Sequence, residues 1–318
     1  MSFVYPFSRV IKPTNIRLAE AVGGIPGLRR LAPRIADWSG LPAHGLFSYQ
    51  NRWLEFNGRN RQFHALYGPQ YVAGYELETC VLISLLLRGA GAFVDAGANW
   101  GFFTLLALSL PTFTGTCVSF EPNPDSFADL HSLIAQAGLE TRVKLHAQGL
   151  SDSPGSLRLL GDLSDSGCIQ LSTAGQGASV SVTTLDEAIT SPTLLIKMDV
   201  EGMERQVLAG GEKLIMQQRP FILLENTLDP EGGCAEPLAW LQEHQYQCLV
   251  PALKVQCGSG VQLHHYGSPP LSPGSLVDFD SLAFMPVTKE TRGWYARQLN
   301  LLACPQERMR ELPGDLHG

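Results

Sequence analysis

Four acidic residues, Asp95, Glu121, Asp199 and Glu225, each stand at or near the end of a short apolar run. In an open α/β sheet, ligands bind outside the carboxyl ends of the strands, where the strand order reverses. Four carboxylates along one such crevice would be costly unless they bind hydroxyls, amines, a cation or a positively charged ligand. The pattern therefore predicts a polar ligand site at one edge of a sheet.

The first of these acids lies in FVDAGANWGFFT, residues 93–104, where a strand, a glycine turn and a helix follow one another. Gly97 and Gly101 are four positions apart, a spacing that fits neither the G-x-G-x-x-G fingerprint of dinucleotide sites nor a phosphate loop. Asp95 would also repel a pyrophosphate at the helix N-terminus. A carboxylate at this turn suits a ligand that carries an ammonium or a sulfonium group.

The second acid, Glu121 in SFEPNP, follows Asp95 by 121 − 95 = 26 positions and ends the next predicted strand. An acid in that place binds the two ribose hydroxyls of an adenosine through both of its oxygens. Pro122 stiffens the turn that follows. The glycine turn and Glu121 together indicate a ligand that contains adenosine.

The third acid belongs to LLIKMDVEGMERQVLAGG, in which Lys197 and Asp199 point to the same side of a strand because alternate side chains share a face. A lysine and an aspartate on an otherwise buried strand must form an ion pair or do chemistry. Glu201 follows just past the strand end, where Gly202 lets the backbone turn. Both readings of Lys197 stay open at this point.

These residues require a scaffold, and strands alternate with helices from residue 92 onward, which favours a parallel sheet covered on both faces. The predicted strands are AFVDAG (92–97), TCVSFEP (116–122), VKLHAQG (143–149), LLIKMDV (194–200) and FILLEN (221–226), followed by YQCLVPALKV and SLAFMPV (281–287). The predicted helices are 75–89, 101–110, 125–137, 203–217 and PLAWLQEHQ.

Outside this alternation the sequence predicts an N-terminal extension over residues 1–70, with helical pieces and a hairpin whose turn lies near Asn57-Gly58. We expect a catalytic domain over 71–290, in which 281–287 is the last strand. Residues 291–318 are expected to form a peripheral C-terminal tail.

The composition of the 318-residue chain fits one large domain, or a core domain with an appended piece. Its net charge of −7 and pI of about 5.6 argue against nucleic acid as a partner. The seven scattered cysteines form no CxxC pair, which argues against a zinc module. We expect a cytoplasmic protein, because the N-terminus lacks a secretory pattern and the longest apolar run, VLISLLL at 81–87, is too short to span a bilayer.

The motifs FVDAGANWGFFT, SFEPNP, GLSD and LLIKMDVEGME, in this order and spacing, resemble the FkbM-type S-adenosylmethionine-dependent methyltransferases, a class I methyltransferase family. The resemblance runs from about Tyr75 to Asn226 and includes the Tyr75-Glu76 pair. It implies a Rossmann-like, seven-stranded, mostly parallel sheet with one antiparallel strand and helices on both faces. It also implies methyl transfer to a hydroxyl of a carbohydrate, glycolipid or secondary metabolite.

The resemblance implies a role for each matching residue. Asp95 and Gly97 would lie by the amino-acid end of the cofactor, Glu121 would hold the ribose, and Asp152 would accept from the adenine amino group. Trp100 is larger than the aliphatic residue expected there, and it packs either under the first helix or against the methionine end. The cofactor residues implied are Glu76, Asp95, Gly97, Ala98, Asn99, Gly101, Phe102, Glu121, Pro122, Asn123, Ser151, Asp152 and Asp199.

Methyl transfer from a sulfonium requires alignment of the acceptor with the methyl carbon, and the acceptor hydroxyl must lose its proton. Asp199 is the first candidate for the base, Glu201 the second, and Lys197 completes the predicted catalytic set. His264 and His265, in the loop 256–280, would either close over the acceptor or stay solvated.

Glu225 and Asn226 form an acid-amide pair at the strand end next to Asp199, similar to the metal-holding arrangement of catechol-type O-methyltransferases. Such oxygen ligands suit Mg²⁺, which would lower the pKa of the acceptor hydroxyl. The alternative is that Glu225 pairs with Lys197 or Arg219, so the metal stays open.

Two other functional classes compete with a methyltransferase. An NAD-dependent oxidoreductase or epimerase is disfavoured by the glycine spacing and by the lack of a helical Tyr-x-x-x-Lys pair. A non-catalytic cofactor-binding scaffold would use the basic N-terminal arm as its functional surface. Otherwise we expect a small-molecule or glycan acceptor and no nucleic acid, and a basic amphipathic arm of this kind could contact an anionic membrane surface.

Overall fold

A computed structural model describes residues 3–71, 73–161, 170–172, 177–228, 235–258, 260–269, 271 and 275–316. The strands are β1 (Phe7–Ile11), β2 (His44–Tyr49), β3 (Arg52–Asn57), β4 (Ala92–Ala96), β5 (Thr116–Phe120), β6 (Val143–His146), β7 (Gly149–Leu150), β8 (Gly155–Leu160), β9 (Gln170–Ser172), β10 (Ser179–Thr183), β11 (Thr193–Met198), β12 (Phe221–Thr227), β13 (Tyr246–Cys257), β14 (Gly260–His264), β15 (Leu276–Pro286), β16 (Gln298–Pro305) and β17 (Gly314–Leu316). The α-helices are α1 (Thr14–Gly23), α2 (Ala32–Ala36), α3 (His64–Tyr67), α4 (Leu77–Leu86), α5 (Phe102–Ser109), α6 (Pro124–Ala137), α7 (Leu185–Ala188), α8 (Glu204–Gly210), α9 (Glu212–Gln218) and α10 (Ala235–Glu243).

The central sheet has the strand order β17-β15-β13-β16-β12-β11-β4-β5-β6, and β14 pairs with the end of β13. Strands β4, β5, β6, β11 and β12 are parallel, as the alternation of strands with helices predicts. The chain leaves β4 in one direction to reach β5 and lies on its other side at β11. The carboxyl ends of β4 and β11 therefore flank the crevice in which such sheets bind ligands.

The prediction of the last strand was wrong. SLAFMPV forms part of β15, which pairs with the outer side of β13, whereas the antiparallel strand between β12 and β13 is β16. β16 lies at 298–305, inside the segment that we expected to be a peripheral tail. In the described part of the chain the sheet has ten strands, four of them antiparallel to the core direction (β14, β15, β16 and β17), rather than seven with one.

The predicted hairpin exists with a different turn. Strand β3 pairs with the preceding β2, and the connection is Gln50-Asn51, not Asn57-Gly58. Both connecting residues have positive φ, 46° and 68°, which is the backbone that a two-residue hairpin turn requires. The chain continues after Gly58 into a short 3₁₀ turn and α3.

The N-terminal extension packs on the rest of the chain through aromatic rings. β1, β2 and β3 form a small antiparallel sheet, and Phe7 and Phe47 of this sheet both contact the ring of Trp100. Phe63 stacks on Trp100 with ring centroids 4.5 Å apart. Trp100 is 2% exposed, so the bulky residue that the sequence singled out is the point where the extension joins the core.

A second small sheet, β7-β10-β8-β9, stands beyond β6 and carries Leu159 and Leu171 toward the crevice. None of the helices within the described ranges is both long and apolar enough to cross a bilayer.

Candidate active site

A cavity opens at the carboxyl ends of β4, β5 and β11, where the strand order reverses. It encloses about 920 Å³ that no protein atom fills, its open mouth included. One end is polar, with Lys197, Asp199 and Glu201, the middle carries Glu121, and the other end is apolar. The apolar end is formed by Phe120, Pro122, Leu150, Leu159 and Leu171.

The glycine turn forms the floor of the cavity through its backbone. Asn99 has φ 50° and Gly97 has φ 77°, and the N–H groups of Gly97 and Ala98 both donate to the carbonyl oxygen of Phe120 at the end of β5. A Cβ on Gly97 would lie 1.9 Å from the carbonyl oxygen of Asp199, which excludes any larger residue there. The Asn99 side chain accepts from the backbone N–H of Trp100 at 2.9 Å and holds the turn closed.

Glu121 faces the cavity with its carboxylate fixed by two backbone donors. One oxygen accepts from the N–H of Asn99 and the other from the N–H of Asn123, both at 2.8 Å. Burial raises the pKa of Glu121 to about 7, although these two hydrogen bonds oppose the shift. Each oxygen keeps a lone pair, so the carboxylate can accept two hydroxyl groups in addition.

Asp95 is fully buried beneath the floor and is not among the residues that line the cavity. Its Oδ2 accepts from the hydroxyl of Thr104 at 2.7 Å, while Oδ1 has no hydrogen-bond partner in the described part of the chain. Burial raises its pKa, and Lys197 and Thr104 counteract that shift. A buried, unpartnered carboxylate oxygen next to a ligand cavity is a group that a bound water or ligand donor would satisfy.

Lys197 and Asp199 share a face, as predicted, and form an ion pair. Lys197 Nζ donates to Asp199 Oδ2 at 3.3 Å, and it also lies 4.5 Å above the ring centre of Phe103. Burial alone would lower the pKa of Lys197, and the carboxylates of Asp199, Asp95 and Glu76 together raise it above its usual range. The lysine is therefore a fixed cation between carboxylates and not a proton acceptor.

A second, smaller cavity of about 230 Å³ lies behind Asp199 and is lined by Glu76, Glu225 and Asn300. The Nδ2 of Asn300, on β16, donates to Glu76 at 2.7 Å. Burial raises the pKa of Glu76, and Lys197 opposes this shift. Burial and the nearby carboxylates of Asp199, Glu76 and Glu201 raise the pKa of Glu225 to about 9. The carboxyl groups of Glu76, Asp95, Asp199 and Glu225 thus all interact electrostatically with the ammonium group of Lys197.

Two tyrosines that the motifs did not identify as site residues lie among these acids. Burial and the charges of Glu76 and Asp199 raise the pKa of Tyr75 well above its usual range. Tyr266 lies in the loop after β14, and its pKa is also raised, by burial and by the charges of Glu76 and Glu225. The sequence signal was the stretch QLHHYG, in which attention fell on the histidines. Within that stretch it is Tyr266 that lies near the acidic side chains of Glu76, Glu225 and Asp199.

The predicted loop 256–280 contains β14, and the two histidines at the end of that strand lie close to carbonyl oxygens of residues that follow them in the chain. His264 Nε2 lies 3.0 Å from the carbonyl oxygen of Pro269, and His265 Nδ1 lies 2.6 Å from that of Tyr266. Neither is among the described residues that line the main cavity. The lid role for this pair stays a prediction without a contact to the site.

Of the thirteen predicted cofactor residues, seven line the main cavity: Gly97, Ala98, Asn99, Phe102, Glu121, Pro122 and Asp199. Six do not: Glu76, Asp95, Gly101, Asn123, Ser151 and Asp152. Gly101 and Asn123 shape the turns beside it, since Asn123 caps α6 and Gly101 begins α5. Asp152 is exposed and accepts from Ser151 and Ser153. At the predicted adenine end, the structure brings Gln148, Gly149 and Leu150 to the cavity instead.

The N-terminal extension contributes to the site, which no motif indicated. Gln62 and Ala65 line the cavity together with Trp100 and Tyr75. The sequence gives no local signal for this, because the contact depends on how the extension packs on α5.

Glu225 and Asn226, which the sequence suggested as Mg²⁺ ligands, form hydrogen bonds with other side chains. Asn226 Oδ1 accepts from Nε of Arg292 at 2.5 Å, and its carbonyl oxygen accepts from Nη2 at 2.6 Å. Glu225 accepts from Gln298, while Arg219 pairs with Glu307 at 2.7 Å. Within the described ranges no three His, Cys, Asp or Glu side chains are placed to hold a metal ion. The donor set therefore does not fit the metal arrangement.

The donor set does fit S-adenosylmethionine, which carries an amino acid, a ribose and a base in a row. Carboxylates stand at the polar end, Glu121 offers two acceptor oxygens in the middle, and the far end is apolar. The unpartnered Oδ1 of Asp95 adds a negative group beneath the polar end.

Comparison with known proteins gives a match to one family. Residues 95–248 match the methyltransferase FkbM domain. A search among curated proteins found no match.

Among solved structures the chain is similar to the methyltransferase FkbM from Methylobacillus flagellatus KT, with 19% identity and a TM-score of 0.39 over 60% of this chain and 49% of that chain. It thus spans about half the length of that protein. It is also similar to a precorrin-6y C5,15-methyltransferase from Geobacter metallireducens, with 12% identity and a TM-score of 0.38 over 74% of this chain and 90% of that chain. A SAM-dependent O-methyltransferase from Thermotoga maritima is similar with 9% identity and a TM-score of 0.37 over 71% of this chain and 64% of that chain.

Proposed function

From the FkbM-type methyltransferase domain to which residues 95–248 of this chain belong, we propose an S-adenosylmethionine-dependent O-methyltransferase. Its acceptor is a hydroxyl group on a carbohydrate, glycolipid or secondary metabolite. The observation that supports the cofactor is Glu121, whose two oxygens are fixed by backbone N–H groups and face the cavity. A rigid carboxylate of this kind is matched to the two neighbouring hydroxyls of a ribose.

The cofactor supplies an activated methyl group on a positively charged sulfur. The chain's own contribution is to place negative charge and an acceptor around that end. Asp199, Glu201 and the buried Asp95 provide the negative charge, and Lys197 keeps the Asp199 carboxylate in position. The aromatic wall of Trp100, Phe102 and Phe103 excludes water from the same end. Alignment and exclusion of water are what such a transfer requires.

Asp199 is the group that we assign to the acceptor hydroxyl. Its Oδ2 accepts from Lys197, which is the one hydrogen-bond partner of this carboxylate among the described residues. Oδ1 would therefore be available to accept the proton of the hydroxyl as its oxygen bonds to the methyl carbon, while the carbon–sulfur bond breaks and the sulfur keeps the electron pair. The tyrosines Tyr75 and Tyr266 and the second cavity lie next to Asp199, on the side where a polyhydroxylated acceptor would meet many hydrogen-bonding groups.

Calorimetry with S-adenosylmethionine and with NAD tests the cofactor. We expect saturable binding of S-adenosylmethionine and none of NAD. A folded protein that binds NAD instead would support the oxidoreductase reading and remove the proposal. Transfer of a labelled methyl group to a panel of sugars, glycolipids and hydroxylated metabolites then tests the acceptor class, and products methylated only on nitrogen would contradict the choice of a hydroxyl.

Substitution of Asp199 by Asn tests the catalytic assignment. The amide cannot take up the proton, so we expect kcat to fall by about 100-fold or more, the usual contribution of a positioned base. The matched control is Asp280→Asn on an exposed part of β15, which should leave kcat unchanged. An unchanged turnover in Asp199→Asn, with S-adenosylmethionine still bound, would show that Asp199 is not the base.

A further inference from the structure

The N-terminal extension carries an exposed surface that the methyl-transfer site does not use. Short helical elements α1, the 3₁₀ turn Arg29–Leu31 and α2 pack against one another and present a set of basic and apolar side chains to solvent. We call this set the basic-apolar surface, and it consists of Ile25, Leu28, Arg29, Arg30, Leu31, Arg34 and Trp38.

The apolar members of this surface are unusually exposed for their size. Trp38 is 60% exposed and Ile25 is 49% exposed, and Leu28 and Leu31 stand beside them. Large aliphatic and aromatic side chains that cluster at the surface of a folded protein mark an interaction site more often than chance exposure does. Single exposed residues elsewhere on the chain, such as Trp294, lack such neighbours in sequence.

The charges on the surface are all of one sign once nearby ion pairs are taken into account. Glu20 is paired with Lys12 at 2.6 Å, and Asp37 is paired with Arg61 at 2.9 Å. Arg29, Arg30 and Arg34 have no ion-pair partner among the residues that the structure describes.

This local charge contrasts with the rest of the chain. Residues 1–36 contain six basic residues and one acid, which is 6 − 1 = +5, whereas the whole chain carries −7. The remainder therefore carries −7 − 5 = −12. The positive charge is concentrated where the apolar residues are exposed.

Hydrogen bonds tie the surface to the rest of the N-terminal extension. The buried Asn15 donates from Nδ2 to the carbonyl oxygen of Ala36 at 2.7 Å, which ties α1 to α2. Its backbone N–H donates to the carbonyl oxygen of Pro42, just before β2. Arg59 reaches back to the carbonyl oxygen of Leu41 at 3.1 Å. The basic-apolar surface thus belongs to a hydrogen-bonded part of the extension that precedes β2.

We propose that the basic-apolar surface docks this protein onto the surface of an anionic lipid bilayer. Arginines reach the lipid phosphates, while leucine, isoleucine and tryptophan side chains enter the boundary between headgroups and acyl chains. An anionic bilayer fits better than nucleic acid, since four of the seven side chains are apolar. It also fits better than an acidic protein partner that lacks an apolar layer. The mode is interfacial and requires no spanning helix.

Co-sedimentation of the full chain with vesicles tests the proposal. We expect binding to vesicles of phosphatidylcholine with phosphatidylglycerol and little binding to phosphatidylcholine alone. Arg29→Glu, Arg30→Glu and Arg34→Glu together should raise the lipid concentration for half-binding by more than about tenfold, because each basic residue near an anionic surface adds to the attraction. The same loss should follow from Leu28→Ser, Leu31→Ser and Trp38→Ser.

The matched control is Lys144→Glu, Arg158→Glu and Lys213→Glu, which makes the same change in net charge on exposed residues outside the surface. It should bind the mixed vesicles like the unchanged chain. Thermal melting by circular dichroism checks folding, and if the glutamate triple is unfolded, Arg29→Gln, Arg30→Gln and Arg34→Gln replaces it.

Three results would overturn the proposal. The first is no binding to anionic vesicles, and the second is an equal loss in the control triple. The third is a dimer in sedimentation that disappears in the serine triple, which would make the surface an interface between copies of this chain.

Discussion

At the scale of single residues, Glu121 carries a prediction that follows from its fixed carboxylate. In Glu121→Gln one backbone N–H would meet an amide NH₂ group instead of an oxygen. We expect the Kd for S-adenosylmethionine to rise about 10- to 100-fold, since hydrogen bonds to charged groups contribute about 1.5–3 kcal/mol. Isothermal titration measures this, with Glu140→Gln on an exposed turn as the control. A rise in Kd below about threefold corresponds to less than half of the about 1.5 kcal/mol expected at minimum for such a hydrogen bond. That result would exclude Glu121 from the ribose site.

The same residue sets an expected pH dependence of binding. The pKa of Glu121 in the free protein is raised to about 7, and the ionised form is the better acceptor for two hydroxyls. Affinity for S-adenosylmethionine should therefore weaken as pH falls below 7, because a growing fraction of Glu121 is protonated. Glu121→Gln should lose this dependence. A dependence that persists unchanged in the variant would place the titrating group elsewhere.

At the scale of elements, the sequence predicted the parts of the fold whose signals are local. Each predicted parallel strand is present because its apolar run is bounded by turn residues, and the family that the motifs indicated is confirmed over residues 95–248. The position of β16 could not be predicted, because its insertion between β12 and β13 is a property of the sheet and not of its own residues. The Asn57-Gly58 pair was a stronger turn signal than Gln50-Asn51, yet pairing with β2 decided the register.

In the candidate site, too, the residues with a local sequence signal were predicted and the others were not. Glu121, Lys197 and Asp199 followed from acids and alternation at strand ends, and the structure brings them to one cavity. Gln62 and Tyr266 were missed because they come from segments outside the alternating strands and helices. Nothing in their local sequence encodes the distance to the acids.

Truncation tests the role of β16. A chain that ends at residue 290 lacks β16 and leaves β12 and β13 without their shared neighbour. We expect it to lose the cooperative thermal transition, since the interior of the sheet would be exposed on two edges. A chain that ends at Pro313 removes only the edge strand β17 and should melt within a few degrees of the full chain. A cooperative transition in the shorter chain would show that β16 is dispensable for the sheet.

At the scale of the whole molecule, the N-terminal extension and β16 both belong to the active site although they lie at opposite ends of the chain. The extension lines the cavity through Gln62 and Ala65 and packs on Trp100 through Phe63, and β16 supplies Asn300 to the acid cluster. The site is therefore more sensitive to the integrity of the ends than its motifs would indicate.

This burial predicts how stability depends on pH. The pKa values of Glu76, Glu78, Asp95, Glu121 and Glu225 are all raised, chiefly by burial. Above the ordinary carboxyl range, the folded chain keeps a proton at each of these groups to a higher pH than the unfolded chain does, to about 7 at Glu121, about 8 at Glu78 and about 9 at Glu225. Where the folded state binds more protons, stability falls as pH rises. We therefore expect the unliganded protein to melt at a lower temperature at pH 9 than at pH 6.

Glu78 isolates one part of this effect. It is 2% exposed, its Oε1 has no hydrogen-bond partner among the described residues, and burial raises its pKa to about 8. The contribution of protonated Glu78 to the stability of the fold is complete below the ordinary pKa of a glutamate and is lost as pH rises through about 8. Glu78→Gln cannot ionise, so its melting temperature should fall less between pH 6 and pH 9. Because about 1 kcal/mol shifts the transition of a chain this large by only about 2–4 °C, differential scanning calorimetry on both proteins, with Glu140→Gln as control, is the suitable measurement. An identical fall in Glu78→Gln and the unchanged chain would mean that Glu78 titrates in its ordinary range.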